Sequence, residues 1–194
     1  MARMTIDGFG QVELNNVAFR RDGRIEAQCA LDTAAFTSQV PCENGMILRV
    51  KKAEHKITFA DASAENQLYA LNYTTEHMYD ERKPGLKNFS ISGPKVAAKQ
   101  DFYPRVGYLA AGDLWTTNCV DFGEYAGAST DDKGRVAAVA SALASGTEIF
   151  AAVGTQGAVA FASSAPSVGP VIQVIKKTTM PDGQDAFQLQ VLSV

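Results

Sequence analysis

The sequence has few cysteines and few histidines, and this shortage excludes most metal-binding and disulfide-rich classes. Three cysteines, Cys29, Cys42 and Cys119, are an odd number and lack the spacing of metal ligands. We therefore expect reduced, partly buried thiols in a reducing compartment. The two histidines, His55 and His77, do not supply the three or four converging ligands that zinc or iron requires. The sequence predicts no metal site.

Long apolar runs and an excess of positive charge are also missing. From Val136 to Ile175 the only ionisable residue is Glu148, but glycines divide this stretch into short runs. A membrane-spanning helix needs roughly 18 consecutive apolar residues. The N-terminal sequence MARMTIDGFGQVEL lacks the apolar region of a signal peptide. With a formal net charge of −3, the chain has no basic footprint typical of nucleic-acid-binding proteins. We expect neither a membrane nor a nucleic acid as partner.

Catalytic motifs are absent as well. No G-x-S-x-G sequence places a serine nucleophile on a strained turn. The stretch Gly8-Phe9-Gly10 begins like a dinucleotide-binding fingerprint, but it lacks a third glycine and a preceding strand. His77, with Asp80 or Glu81 nearby, is more typical of a polar edge or loop than of a triad. We therefore predict no catalytic residue, no cofactor-binding residue and no enzymatic activity.

Turn signals between alternating runs indicate strands, most clearly in the last stretch, Val171–Val194. Its first arm is rich in β-branched residues, and Asp182-Gly183 supplies the short polar residue and the glycine that tight turns need. Its second arm alternates between apolar and polar side chains, the period of a strand with one buried face. The apolar members are Phe187, Leu189 and Val191, and the polar members are Gln188 and Gln190. The pattern predicts a closing hairpin with a glycine at positive φ.

Further strands are predicted along the chain. Asp22-Gly23 lies between two alternating runs, which predicts a first hairpin over Gly10–Leu31. The remaining predicted strands are Met46–Val50 with His55–Ala60, Gln67–Thr75, Asn88–Ser92, Arg105–Ala111, Asp113–Phe122, and Glu148–Val153 with Ala158–Ala162. Arg135–Ala144 is ambiguous, because its apolar residues have helical spacing while Asp132-Lys133-Gly134 also suits a turn between strands. We favour a strand there.

These elements predict an all-β fold with at most short helices, either a small antiparallel barrel or a sandwich, with two β subdomains. Glu76–Pro104 is irregular, and a structureless loop of that length is unusual within one compact domain. We therefore place an N-terminal β domain with its irregular connecting segment at residues 1–100. A C-terminal β-barrel or sandwich domain follows at residues 101–194.

Two groups of residues invite a functional interpretation that the sequence does not favour. The run Arg49–Lys56 is locally basic, which on an edge strand is more often protection against edge-to-edge pairing than a ligand site. Trp115 and the tyrosines around it are expected in the core or in a subunit contact. Those tyrosines are Tyr103, Tyr108 and Tyr125.

The low charge and small side chains of Val136–Ile175 have two explanations. They suit a surface packed against identical neighbours or a large scaffold, because such a surface is desolvated at little cost. They also suit an ordinary core of small residues in a β-sandwich. The first explanation predicts self-association.

Three stretches resemble small accessory capsid proteins of tailed bacteriophages, of the head-decoration and head-fibre-base type. They are LNYTTEHMYDERKPGLKNF (Leu71–Phe89), YPRVGYLAAGDLWTTN (Tyr103–Asn118), and Thr178–Gln184 with the strand that follows. The likeness covers most of Gln67–Val194 and consists of texture and strand–turn order. It brings no catalytic residue with it.

The resemblance implies a structural virion protein that decorates or cements a capsid. Its partners would be the major capsid protein or another virion protein, together with further copies of itself. A trimer would suit the threefold positions of an icosahedral shell. The protein would be assembled in the bacterial cytoplasm and would end on the capsid surface. The alternatives are a phage tail or baseplate component and, less favoured, a small β-domain hydrolase or carbohydrate-binding module.

Overall fold

The fold is mainly β, as the sequence predicts, and it is built from two larger sheets. The structure is a computed structural model that describes residues 2–7, 10–37, 40–61, 63, 67–74, 90–91 and 103–194. Within these ranges the strands form two packed sheets rather than a closed barrel. Of the two predicted architectures, the sandwich is therefore the one that fits.

The larger sheet has seven strands, in the order β1-β10-β15-β14-β12-β13-β11, numbered along the chain. All pairs are antiparallel except β11 with β13, which is parallel. The strands are β1 (Val12–Asn16), β10 (Leu114–Thr117), β11 (Val120–Asp121), β12 (Phe150–Val153), β13 (Val159–Ala162), β14 (Val171–Thr179) and β15 (Asp185–Ser193).

The smaller sheet has six strands in the order β2-β9-β7-β5-β6-β3, with one parallel pair, β3 with β6. Its strands are β2 (Ile25–Glu26), β3 (Ala30–Leu31), β5 (Ile47–Lys51), β6 (Lys56–Phe59), β7 (Ala70–Asn72) and β9 (Val106–Tyr108). A separate two-stranded pair joins β4 (Cys42–Glu43) to β8 (Ser90–Ile91).

The favoured strand at Arg135–Ala144 is wrong, because this stretch belongs to an α-helix, α2 (Asp132–Ala144). The Asp131 side chain accepts a hydrogen bond from the Gly134 backbone N–H at 3.1 Å and caps the helix. Val136 and Val139, three residues apart, are buried against the sheet. The capping residues that also suit a turn here begin a helix.

The predicted first hairpin over Gly10–Leu31 is also wrong. A short helix, α1 (Ala18–Asp22), separates β1 from β2, and the two strands lie in different sheets. Gly23 ends this helix in the left-handed conformation, with φ of 68°. A glycine with positive φ serves a helix end as well as a hairpin turn, so Asp22-Gly23 alone did not distinguish them.

Three other hairpins agree with the sequence. The closing hairpin pairs β14 with β15, and Gly183 in its turn has φ of 89°, as predicted. The β12–β13 and β5–β6 hairpins also lie where the alternating runs predicted them. In each case the turn is short and the two strands are adjacent in the chain, which is the arrangement that local patterns predict best.

The larger sheet is strongly curled, because β10 and β11 are separated by only Asn118 and Cys119 yet occupy its second and last positions. One buried cluster contains residues of both sheets and of α2, with Trp115, Phe187 and Leu189 among its members. A second cluster around Leu48 covers the other side of the smaller sheet. The smaller sheet is therefore covered on both faces.

Each large sheet takes strands from both sides of residue 100: β1 lies with the C-terminal strands and β9 with the N-terminal ones. The division into domains 1–100 and 101–194 stays a prediction. Of the predicted strand Asn88–Ser92, only β8 falls within the described residues, and most of Glu76–Pro104 lies outside them. No helix of the described chain is long and apolar enough to cross a membrane.

Candidate functional site

One face of the seven-stranded sheet carries a row of side chains that do not belong to the core. Leu114 is paired with Gln190, Gln190 with Gln173, Gln173 with Phe150, and Phe150 with Ala162. Residues directly opposite one another on adjacent strands point to the same side of a sheet. These five residues therefore share one face across five strands, which we call the outer face. Each of them is only partly buried.

The neighbouring residues on the same strands point inward. Trp115 is paired with Leu189, and Leu189 with Val174, and all three are buried. Side chains alternate between the two faces of a strand, so the inward set fixes the direction of the outer set. The partly exposed position of the glutamines thus follows from the register of the sheet.

The central row of the outer face has no ionisable side chain. Its members are two glutamines, a leucine, a phenylalanine and an alanine. The next row contains Gln188, paired with Thr116 on one side and with Lys176 on the other, and Glu13 is paired with Thr116. Charge on this part of the sheet therefore lies beside the central row rather than in it.

Exposed apolar side chains occur on the two longest strands and just past the end of β15. Leu192 and Val194 are 44% and 52% exposed, and Ile175, at an irregularity in β14, is 38% exposed. Large apolar residues exposed one at a time are common on protein surfaces. Here they lie on or beside the strands that carry the outer face.

This chemistry suits contact with another protein surface. Glutamine amides donate and accept hydrogen bonds, so a face rich in them is complementary to a copy of itself. Leucine and phenylalanine side chains contribute buried apolar area, and the central row carries no charge whose desolvation would oppose association. The outer face is the candidate functional site.

The sequence predicted part of this site. The alternation in β15 placed Gln188 and Gln190 on a wet face, but it did not show which residues of β12 and β14 lie beside them. The stretch Val136–Ile175, predicted as an interface or a core, contributes residues both to the core and to the outer face. Its buried members include Val139, Ala151 and Ile172, while Phe150 and Gln173 reach the outer face.

Two clefts are among the concave features that the described residues line. One, of about 460 Å³, has Asp61, Asp121 and Gln156 in its lining, and the other, of about 380 Å³, has Asp132 and Gln184. Among the described residues, the lining of these two clefts contains no aromatic ring. Within the same part of the chain, no group of three or more histidine, cysteine, aspartate or glutamate side chains has the arrangement of a metal site.

The cysteines are buried, and none of the three forms a disulfide. Burial raises the pKa of the Cys119 thiol to about 11, although the nearby Arg3 guanidinium opposes this shift. Burial also raises the pKa of Cys42 and Cys29, assisted by the carboxylates of Glu43 and Glu26 respectively. Since the thiolate is the reactive form, these environments do not suit a nucleophile.

The basic run Arg49–Lys56 does not lie on an edge strand, because β5 is inside the six-stranded sheet and β6 is next to it. Its lysines are paired instead: Lys51 lies 3.2 Å from Asp32 and Lys52 lies 3.7 Å from Glu26. His55 lies in the turn between these strands with φ of 51°.

The aromatic residues predicted in the core or in a subunit contact have different environments. Trp115 is fully buried, Tyr108 and Tyr125 are partly buried, and Tyr103 is 46% exposed. His77, Asp80, Glu81 and Gly8-Phe9 lie outside the described residues.

Comparison of the chain with protein-family models, with curated proteins and with solved structures finds no match in any of the three. Support for a function therefore comes from the geometry of the outer face and from the resemblance noted in the sequence.

Proposed function

We propose that this protein is a non-catalytic accessory component of a bacteriophage head, which associates with copies of itself and docks on the capsid shell. The observation that carries the proposal is the uncharged central row of the outer face of the seven-stranded sheet, formed by Leu114, Gln190, Gln173, Phe150 and Ala162. The resemblance of most of Gln67–Val194 to head-decoration and head-fibre-base proteins, in texture and strand–turn order, supports the capsid as the larger partner.

A strand face on which every second residue is partly exposed remains hydrated in the free protein, and association releases that water from apolar groups. No charge in the central row has to be desolvated in return. Most soluble homo-oligomers have closed symmetry, and a trimer would match the threefold axes of a shell.

On this proposal the partners are the major capsid protein or another virion protein and further copies of the chain. Nucleic acid and membrane are not partners. The protein would be assembled in the bacterial cytoplasm and located on the outside of the capsid in the virion. The outer face would serve self-association, which leaves other surfaces of the molecule for the shell.

The test begins with the mass of the protein in solution, measured by light scattering at micromolar concentration. We expect an oligomer for the wild type and a smaller species for Gln190→Glu, because symmetry brings like carboxylates together at the interface. Gln28→Glu is the matched control: it makes the same chemical change at an exposed position away from the outer face. Circular dichroism should show the same fold for all three proteins.

Co-sedimentation with empty tailed-phage capsids then tests the docking step. The wild type and Gln28→Glu should sediment with the shells, and Gln190→Glu should lose most of that binding because it loses multivalency. Binding to isolated tails rather than to capsids would instead favour a tail or baseplate component. A wild type that is strictly monomeric and binds neither capsids nor tails would contradict the proposal. That result would favour the carbohydrate-binding alternative.

A further inference from the structure

The N-terminal segment Ala2–Asp7 lies along the free side of β11 as an added strand. Arg3 and Asp121 face each other in an antiparallel bridge. On either side of that pair, the Met4 N–H donates to the Val120 carbonyl and the Phe122 N–H donates to the Ala2 carbonyl, both at 3.0 Å. The edge of the larger sheet is therefore occupied by a short extended peptide of the same chain.

Arg3 anchors this segment in a polar pocket. Its guanidinium donates to the carboxylate of Glu43, which is buried, and lies 3.3 Å from the Cys119 sulfur. Met4 next to it is 5% exposed and joins the main core. The pocket thus selects an arginine followed by an apolar residue, with the charge of Glu43 opposite the charge of Arg3.

Further contacts fix the other end of the segment. The Thr5 N–H donates to the Asp132 carboxylate at 2.6 Å. The Gln184 side chain bonds the Asp7 backbone in both directions: its oxygen accepts from the Asp7 N–H at 2.9 Å, and its amide donates to the Asp7 carbonyl at 3.1 Å. Main-chain hydrogen bonds of this kind recognise any extended backbone, so specificity comes from Arg3 and Met4.

We propose that this groove is a strand-receiving site, and that in an assembly it takes the Ala2–Asp7 segment of a second copy in place of its own. The second copy carries the same segment, so exchange conserves each contact described above. Exchange of an identical element between protomers is a low-cost route to association. The intramolecular segment has the advantage of high effective concentration, which a crowded assembly would offset. The inference does not depend on the outer face or on a capsid.

Two complementary variants of the full chain test the exchange. Arg3→Ala weakens the segment and leaves the groove intact, whereas Glu43→Gln weakens the groove and leaves the segment intact. The Glu43→Gln chain keeps an unaltered segment, and the Arg3→Ala chain keeps an unaltered groove. In a mixture, that segment can therefore bind in that groove. Energy transfer between donor and acceptor fluorophores, carried on C-terminal tags, reports this pairing.

We expect energy transfer in the mixture to persist to concentrations at least about tenfold lower than in either single-variant sample. The reason is that a charge-assisted hydrogen bond typically changes affinity by about that factor. Association through the outer face contributes equally to all samples and cancels. Equal transfer in the mixture and in each variant alone would overturn the proposal. Circular dichroism establishes that both variants are folded, and Arg3→Lys with Glu43→Asp provides a milder pair if either is not.

A labelled peptide with the sequence of residues 2–7 gives a second measurement. The Arg3→Ala protein should bind this wild-type peptide about tenfold more tightly than it binds a peptide that itself carries the Arg3→Ala substitution. The wild-type chain should bind it more weakly than the variant does, because its own segment competes. Equal binding of the two peptides, or binding of neither, would overturn the site.

Discussion

Gly183 has a backbone angle, φ of 89°, that residues with a side chain rarely adopt. A Cβ added there would meet no neighbouring atom within 4 Å, so the restriction is conformational rather than steric crowding. Gly127, in the 3₁₀ helix before α2, has equally open space, but its φ is not in the positive region. Comparing the same substitution at Gly183 and at Gly127 therefore separates the effect of backbone strain from that of steric contact.

We predict that Gly183→Val lowers the free energy of unfolding by about 1–3 kcal/mol, the usual scale of strain at such an angle. Gly127→Val should have a clearly smaller effect. Thermal unfolding followed by circular dichroism measures both. An unchanged melting temperature for Gly183→Val would mean that the turn tolerates a different conformation.

The thiols provide a second test at this scale. Because Cys29, Cys42 and Cys119 are buried and the pKa of each is raised, we predict very slow modification by iodoacetamide at pH 8 in the folded protein. The same protein in denaturant should be modified at all three positions. Mass spectrometry of the peptides identifies each site, and rapid labelling of any thiol in the folded state would contradict its burial.

At the scale of elements, α2 shows how two local rules compete. Asp131 begins the helix with a side-chain cap, and the hydrogen bond from the Ser129 hydroxyl, followed by that from the Gly134 N–H, holds the pKa of Asp131 below its usual value. A carboxylate with a lowered pKa stabilises the fold above its unfolded pKa of about 4. That contribution is lost as pH falls through the lowered value.

We predict that Asp131→Ala lowers the melting temperature at pH 7 and that its difference from the wild type narrows below about pH 4. Asp131→Asn is the matched control, because asparagine caps helices without titrating. It should keep most of the stability at pH 7. A deficit of Asp131→Ala that is unchanged between pH 7 and pH 3 would argue against the charged cap.

The elements that the sequence predicted well are those whose partners are adjacent in the chain. The β14–β15 hairpin follows from its own alternation and from Asp182-Gly183. The failures at Gly10–Leu31 and Arg135–Ala144 share one cause: the residue types that form turns also begin and end helices. The pairing of Gln173 with Gln190 and Phe150 depends on the register of three strands, which no local pattern specifies.

For the whole molecule, self-association should appear as a concentration dependence of stability. Anything that binds the folded state and not the unfolded state raises the melting temperature by mass action. We predict that the melting temperature of the wild type rises between about 1 and 100 μM. That of Gln190→Glu should stay nearly constant. Scanning calorimetry measures both, and parallel behaviour of the two proteins would remove the outer face as the site of association.

The pairing of β1 with β10 also affects how the protein is made. Val12 is opposite Thr117, so β1 leaves the ribosome about 100 residues before its partner strand does. At ~5–20 residues per second, that interval is roughly 5–20 s. During this interval the backbone of Val12–Asn16 lacks its hydrogen-bonded partner strand. Closing the long loop between β1 and β10 also costs conformational entropy. Nascent chains on neighbouring ribosomes of one messenger RNA would therefore contact one another before β1 has paired with β10.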